Sequence, residues 1–254
     1  MGDEIHRHVS LVILPIDEFT GKRILSPDFL VRVQGAACPI IKQDGYRVFV
    51  GEFATQEIIV MLEGRFYRKK RITVDLSGIE ESSPVVAVPV LPDRDYAFPS
   101  GTFFMEGRLP EGALLWAAGC SAWGMYRLSR DCEVGDMTLS VFRGGEEKSA
   151  GRGFLLTERE GEGREWVEFD VSDDFMQSIY RLKRPVRHPH GRVGTNLYPL
   201  LCYEADAMGT EYFIAFPGEK DVTEISVRCR LLADNGTKEY EFFLKTGEIF
   251  YWDF

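Results

Sequence analysis

The chain is predicted to be all-β: a small antiparallel β-sandwich at the N-terminus, a second, larger β-sandwich-like region after it, and little helix. Three observations predict this. Apolar and polar residues alternate over short runs, the period of a half-buried strand. Turn signals at Thr20-Gly21, Asp44-Gly45, Glu63-Gly64 and Asp234-Asn235-Gly236 separate such runs. No long helix is suggested in the first 76 residues.

Taken in order, His8–Leu14 is nearly all apolar, as in a strand buried on both faces. Phe29–Gln34 places Phe29, Val31 and Val33 on one face and Arg32 and Gln34 on the other. After Asp44-Gly45, Tyr46, Val48 and Val50 alternate with Arg47. Glu57–Leu62 and Phe66–Val74 complete this part, which is expected to occupy residues 1–76. Residues 77–101 read as a proline-rich linker or arm, because Leu76–Pro84 is small and acidic. Pro89, Pro92 and Pro99 then exclude a helix and a central strand, leaving an extended segment anchored by Tyr96 and Phe98.

Residues 102–254 form the second β-rich region, with a possible split near 183–196. Phe103–Leu109, Leu114–Ala118, Met137–Phe142 and Trp166–Val171 read as strands. Ile225, Val227, Cys229 and Leu231 alternate with polar residues, as do Tyr240, Phe242 and Leu244, so Asn235-Gly236 between them predicts a hairpin. Arg143–Gly153 and Glu158–Arg164 read as polar loops around Phe154–Thr157, and Lys183–Asn196 as a basic loop. Ser172-Asp173-Asp174 is positioned to cap one or two helical turns over Phe175–Leu182. The apolar segment Ile249–Phe254 reads as a buried final strand, with a docking tail as the alternative.

The 254 residues are 44% hydrophobic, enough for real cores and for two domains. A formal net charge of −10 repels phosphate backbones and argues against nucleic acid. The five cysteines, Cys38, Cys120, Cys132, Cys202 and Cys229, form no C-x-x-C pair and read as reduced, buried small hydrophobes. The first residues lack the pattern of a secretory signal, and no run approaches the roughly 20 apolar residues of a membrane span. Synthesis in the cytoplasm is expected, with any release by lysis or as part of a particle.

Two resemblances rest on particular residues. Asp17-Glu18-Phe19-Thr20-Gly21 follows the first strand, then come Phe29–Val33, Asp44-Gly45-Tyr46-Arg47-Val48-Phe49 and Gly64-Arg65-Phe66-Tyr67. This order resembles the carboxypeptidase regulatory-like domain, a transthyretin-like β-sandwich. Lys22–Pro27 stands where that family carries Pro-x-x-G-A. The stretch Leu91–Thr102, followed by Glu106-Gly107-Arg108, resembles a segment of cap or adaptor components in phage-tail-like contractile injection particles. That resemblance covers roughly the first 110 residues and implies protein subunits of a tube, sheath or cap as partners, in a symmetric oligomer.

Candidate chemistry is sparse. His188 and His190 are weak metal candidates, since a site needs three or four ligands and only Cys202 and Glu204 are obvious additions. Gly119-Cys120-Ser121-Ala122-Trp123-Gly124 misses the spacing of a nucleophile elbow. The acidic pairs read as solvated faces, and no cofactor fingerprint is present. Arg68-Lys69-Lys70-Arg71 lies within a predicted strand, where it either protects a sheet edge or docks an acidic partner. The expected function is therefore non-catalytic assembly, with Arg68, Lys69, Lys70, Arg71, Tyr96 and Phe98 as partner contacts. The alternatives are a carbohydrate- or surface-ligand-binding module, using Trp116, Trp123, Tyr126 or Trp166, and an enzyme with an unrecognised β-rich catalytic domain.

Overall fold

A computed structural model of the chain describes residues 9–79, 84–120, 126–143, 153–157, 164–169, 179–187, 191–204, 210–218 and 221–254. The described residues are nearly all β, with one short 3-10 turn at Leu76–Gly78. The chain divides into two compact units, Met1–Tyr96 and Ala97–Phe254.

The first unit contains β1 (Val9–Asp17), β2 (Leu30–Val33), β3 (Ile40–Ile41), β4 (Arg47–Val50), β5 (Glu57–Gly64), β6 (Tyr67–Asp75) and β7 (Val85–Val90). Two sheets form, ordered β3-β4-β1-β7 and β2-β5-β6. Leu11, Ile13 and Phe49 from the first sheet meet Val31, Val60 and Leu62 from the second in one buried cluster. That shared core makes the pair a sandwich. β1 lies between β4 and β7, and every residue from Leu11 onward is buried, which explains its unbroken apolar run.

Two expectations for this unit are corrected. Val85–Val90 is a strand of the sheet rather than a draping arm, paired in parallel with β1 from Val12↔Val85 to Asp17↔Val90. The sandwich is therefore not wholly antiparallel. Proline does not prevent this, because β7 ends its sheet and Pro89 owes no ladder bond on the open side. The facing of β4 is also inverted: Arg47 is 0% exposed and shares the inner face with Phe49, while Tyr46, Val48 and Val50 stay half-exposed. The guanidinium is accommodated because it donates to Gly45 O at 2.8 Å, Ser26 O at 2.8 Å and Phe29 O at 3.5 Å. Burial lowers its pKa from the ordinary arginine value.

The second unit contains β8 (Phe103–Arg108), β9 (Leu114–Cys120), β10 (Tyr126–Leu128), β11 (Thr138–Arg143), β12 (Gly153–Thr157), β13 (Arg164–Glu168), β14 (Ile179–Arg181), β15 (Asn196–Pro199), β16 (Leu201–Glu204), β17 (Glu211–Phe216), β18 (Glu224–Ala233), β19 (Gly236–Lys245) and β20 (Ile249–Tyr251). Three sheets form: β13-β12-β15-β10-β11-β14, β16-β9-β18-β19 and β17-β8-β20. β12 is buried on both faces. Phe154 and Leu156 enter a cluster with Tyr126, Leu139 and Tyr180, while Leu155 packs with Trp116, Ala118 and Cys202. The opposite side of the β9-containing sheet meets the third sheet, where Cys229 Sγ lies 4.0 Å from Met105 Sδ.

The 225–244 hairpin forms as expected, with Ala233↔Gly236 closing the two-residue turn and Gly236 at φ +110. Helical turns over Phe175–Leu182 are not supported where the chain is described: Ile179–Arg181 is a strand on β11, because Tyr180 must reach the aromatic cluster of Phe154 and Phe169. Nor does a split near 183–196 separate two consecutive pieces. β9 pairs with β16 and β18, and β8 with β17 and β20, so early strands are completed by late ones.

Arg47→Met removes the donors to three carbonyls and is expected to destabilise the chain by about 3 kcal/mol. Arg32→Ala, on the exposed face of β2, is expected to stay within about 0.5 kcal/mol. Chemical denaturation of the two variants checks this; equal midpoints would contradict the role given to Arg47.

Candidate functional site

The Asp17–Gly21 motif is a folding device. Asp17 Oδ1 accepts from the backbone N–H of Phe19 at 2.9 Å and of Thr20 at 3.2 Å, and Gly21 N donates to Asp17 O at 2.7 Å. Gly21 closes the turn at φ +69, a region open to glycine. The other carboxylate oxygen accepts from Tyr96 OH at 2.7 Å and Tyr67 OH at 3.3 Å. Tyr96 also packs at ring-centroid distances of 5.7 Å from Tyr67 and 6.0 Å from Phe19. Tyr96, expected as a docking anchor, is thus engaged within its own unit. Desolvation first, and the Asp17 charge next, raise the Tyr67 phenol above its ordinary pKa. The Tyr96 phenol is raised too, by desolvation first and then by its hydrogen bond to Asp17.

The basic run lies on β6, the last strand of its sheet, and alternation divides it. Lys69 and Arg71 are exposed, whereas Arg68 and Lys70 are half-buried on the inner side. Lys70 Nζ donates to Pro89 O at 2.5 Å, and Arg68 N donates to Leu91 O at 3.0 Å. Lys69 pairs with Glu63 at 2.7 Å and holds that carboxyl below the ordinary glutamate value. The four residues are therefore not one stripe; Lys69 and Arg71 alone face outward together. Tyr67 departs from the same alternation, since a register shift between Leu62 and Gly64 turns its ring onto Phe29, 5.5 Å away.

In the second unit Phe98 packs at 5.1 Å from Phe104 and 5.9 Å from Phe213. Nearby, β20 runs parallel to β8, from Ile249↔Phe104 to Tyr251↔Glu106. The chain beyond it continues the pairing: Trp252 N donates to Glu106 O at 2.8 Å and Phe254 N to Arg108 O at 3.0 Å. Arg108 N donates to Asp253 Oδ1 at 2.8 Å, and Tyr212 OH donates to Trp252 O at 2.7 Å. Glu106-Gly107-Arg108 is the seat of this segment, and a Cβ on Gly107 would stand 1.8 Å from Trp252 O. The 249–254 segment is docked but not buried, which corrects the expectation. β20 ends its sheet, Phe250 packs inward on Phe242 at 5.1 Å, and Ile249 and Tyr251 remain 58% and 57% exposed.

The second unit also holds a cleft of about 390 Å³ among β13, the 183–187 loop and the β18–β19 hairpin. Trp166 forms part of its wall, with Glu165, Glu168 and Glu239 around it. Lys183, Arg184, Arg187 and Arg230 supply the opposite charge. The first unit has an open hollow of about 470 Å³ near residues 51–56, where Glu52 is the one charged lining residue. Trp116 and Tyr126, considered as stacking platforms, are buried, and Trp123 lies outside the described residues, as do Ser121–Gly124 generally.

His188 and His190 lie outside the described residues, and Cys202 is buried. Among the described residues no group of three or more His, Cys, Asp or Glu side chains is placed to hold a metal ion. All five thiols are free of disulfides, but the expected burial holds only for Cys132, Cys202 and Cys229, since Cys38 is exposed and Cys120 half-buried; burial pushes Cys132 up to about 11, away from a thiolate. Among the described residues no helix is long and apolar enough to cross a membrane. Arg47 sits in the Asp44–Phe49 pattern with no local sign of its inward facing, and the cleft has no local motif; the sequence singles out only its half-buried Trp166.

No protein-family model, curated protein or solved structure matches the chain.

Two outcomes follow from these contacts. Tyr67 and Tyr96 have folded pKa values above those of the unfolded chain, so the stability they contribute is complete below about pH 10 and is lost as pH rises above it, where only the unfolded state deprotonates. Thermal midpoints measured from pH 8 to 11 should fall less steeply in Tyr67→Phe than in the parent; parallel slopes would refute this. Gly107→Ala should unseat the 249–254 segment, accelerating amide exchange at Trp252 and Phe254 on the order of tenfold or more, while β1 amides are unchanged.

Proposed function

We propose that the chain is a non-catalytic assembly protein, an adaptor or cap-type component of a phage-tail-like contractile injection particle, joined to neighbouring subunits through its sheet edges. The observation that carries this reading is β20: a strand held firmly on β8 whose outward residues Ile249 and Tyr251 are left exposed at the end of a sheet. Exposed apolar edges are sites for strand addition by another chain, where main-chain hydrogen bonds give affinity and side chains give register. The outward Lys69 and Arg71 on β6 add a basic edge in a chain of net charge −10, suited to an acidic partner surface.

The particle assignment rests on the sequence resemblance over Leu91–Thr102 and Glu106–Arg108. The structure gives that triplet a concrete task, seating the edge strand. A free arm over Val85–Thr102 plays no part, because its first third is β7.

Two double variants test the reading, Lys69→Glu with Arg71→Glu and Ile249→Ser with Tyr251→Ser. Both sets of side chains are exposed, so the fold should persist. In cells that make contractile particles, the parent should co-sediment with them, and at least one double variant should do so about tenfold less. A parent chain found only as free monomer in such cells would overturn the proposal.

A further inference from the structure

The cleft of the second unit has a layered chemistry. Its floor is the outer face of the β18–β19 hairpin, where Arg230 lies opposite Glu239 and Arg228 opposite Glu241. Arg228 and Glu241 form an ion pair, so that end of the floor is neutralised. Arg230 differs: its Nε is buried without a hydrogen-bond partner. Trp166 of β13 stands between the main cleft and an adjoining hollow of about 230 Å³ over Arg228 and Glu241. Across from it, Arg184 and Arg187 are exposed on the rim. Glu165 is already engaged, its two oxygens accepting from Arg187 N at 2.9 and 3.0 Å. Glu168 and Glu239 remain as acceptors along the wall and floor.

A half-buried indole offers a flat apolar face to the C–H side of a sugar ring. Carboxylates accept hydrogen bonds from ring hydroxyls, and guanidinium groups bind a carboxylate through paired N–H donors. A volume of about 390 Å³ lies within the range of small-ligand sites. A dense polyanion fits poorly, since Glu168, Glu239 and the chain's net charge of −10 oppose it. The four cations of the lining, Lys183, Arg184, Arg187 and Arg230, outnumber the carboxylates of Glu165, Glu168 and Glu239, so a wholly neutral sugar leaves one positive charge uncompensated. We propose that this cleft binds an acidic saccharide, a pyranose bearing one carboxylate. Trp166 stacks on the ring, Arg184, Arg187 and Arg230 hold the carboxylate, and Glu168 and Glu239 accept from the hydroxyls.

The site is separate from the sheet edges, so it stands or falls independently of the assembly role. The test is isothermal titration of the full chain with trigalacturonate, maltotriose and inorganic phosphate. Trigalacturonate should bind at least tenfold more tightly than either of the other two. Arg230→Gln should weaken it at least tenfold, and so should the double variant Arg184→Gln with Arg187→Gln, whose side chains are exposed and whose circular dichroism should match the parent. Absence of trigalacturonate binding by the folded parent, equal binding of maltotriose or phosphate, or affinity unchanged in both variants would each overturn the proposal. The incorporation of edge variants into particles reads the assembly role separately.

Discussion

Every sheet in this protein has to satisfy the backbone N–H and C=O groups along its two outer strands, and that constraint shapes the rest. The described structure meets it in different ways. β7 places Pro89 at an edge, where a missing donor costs nothing. The start of β6 is covered by hydrogen bonds from Arg68 to Leu91 and from Asp93 to Phe66, and its inner side is tied to Pro89 by Lys70. β8 is covered by the 249–254 segment, which only fits because Gly107 has no side chain. Only the last of these moves the exposed edge outward by one strand, from β8 to β20. The surface finally presented carries Lys69 and Arg71 in one unit and Ile249 and Tyr251 in the other.

Inside the units, polar groups are engaged in holding turns. Asp17 accepts two backbone N–H groups and two phenol hydroxyls, so one carboxylate joins the 17–21 turn to Tyr67 and Tyr96. Arg47 does the complementary work with three carbonyls. A buried cation whose terminal nitrogens are held by backbone acceptors is costly to disturb, because truncation leaves the carbonyls unpaired. These two residues lie within the segments that resemble the regulatory-like sandwich, and their contacts give that pattern a physical cause: side chains that complete the hydrogen bonds of tight turns.

Much of the fold was legible because alternation reports half-burial. Phe29–Val33 and the 225–244 hairpin read correctly, since their polar residues face outward. The same logic misread β4, where a charged residue faces inward and the nearest apolar ones do not; only the carbonyl cage around Arg47 reveals why. β7 was hidden by its prolines, and β12 by the short apolar run between polar loops, although Phe154, Leu155 and Leu156 are all fully buried. Tyr96 and Phe98 read in the sequence as anchors for a partner, and the contacts the structure shows for them are within their own units. The cleft around Trp166 and Arg230 joins residues some 60 positions apart in sequence, and no local spacing announces it.

We propose that exposed sheet edges, not an internal reactive centre, connect this chain to its surroundings. Electron microscopy of the native complex from particle-producing cells tests it most directly. Copies of the chain should repeat around a tubular assembly, with a neighbouring subunit's density continuous with β6 or β20. Density that meets the chain only on other surfaces, or no assembly containing it, would contradict the claim.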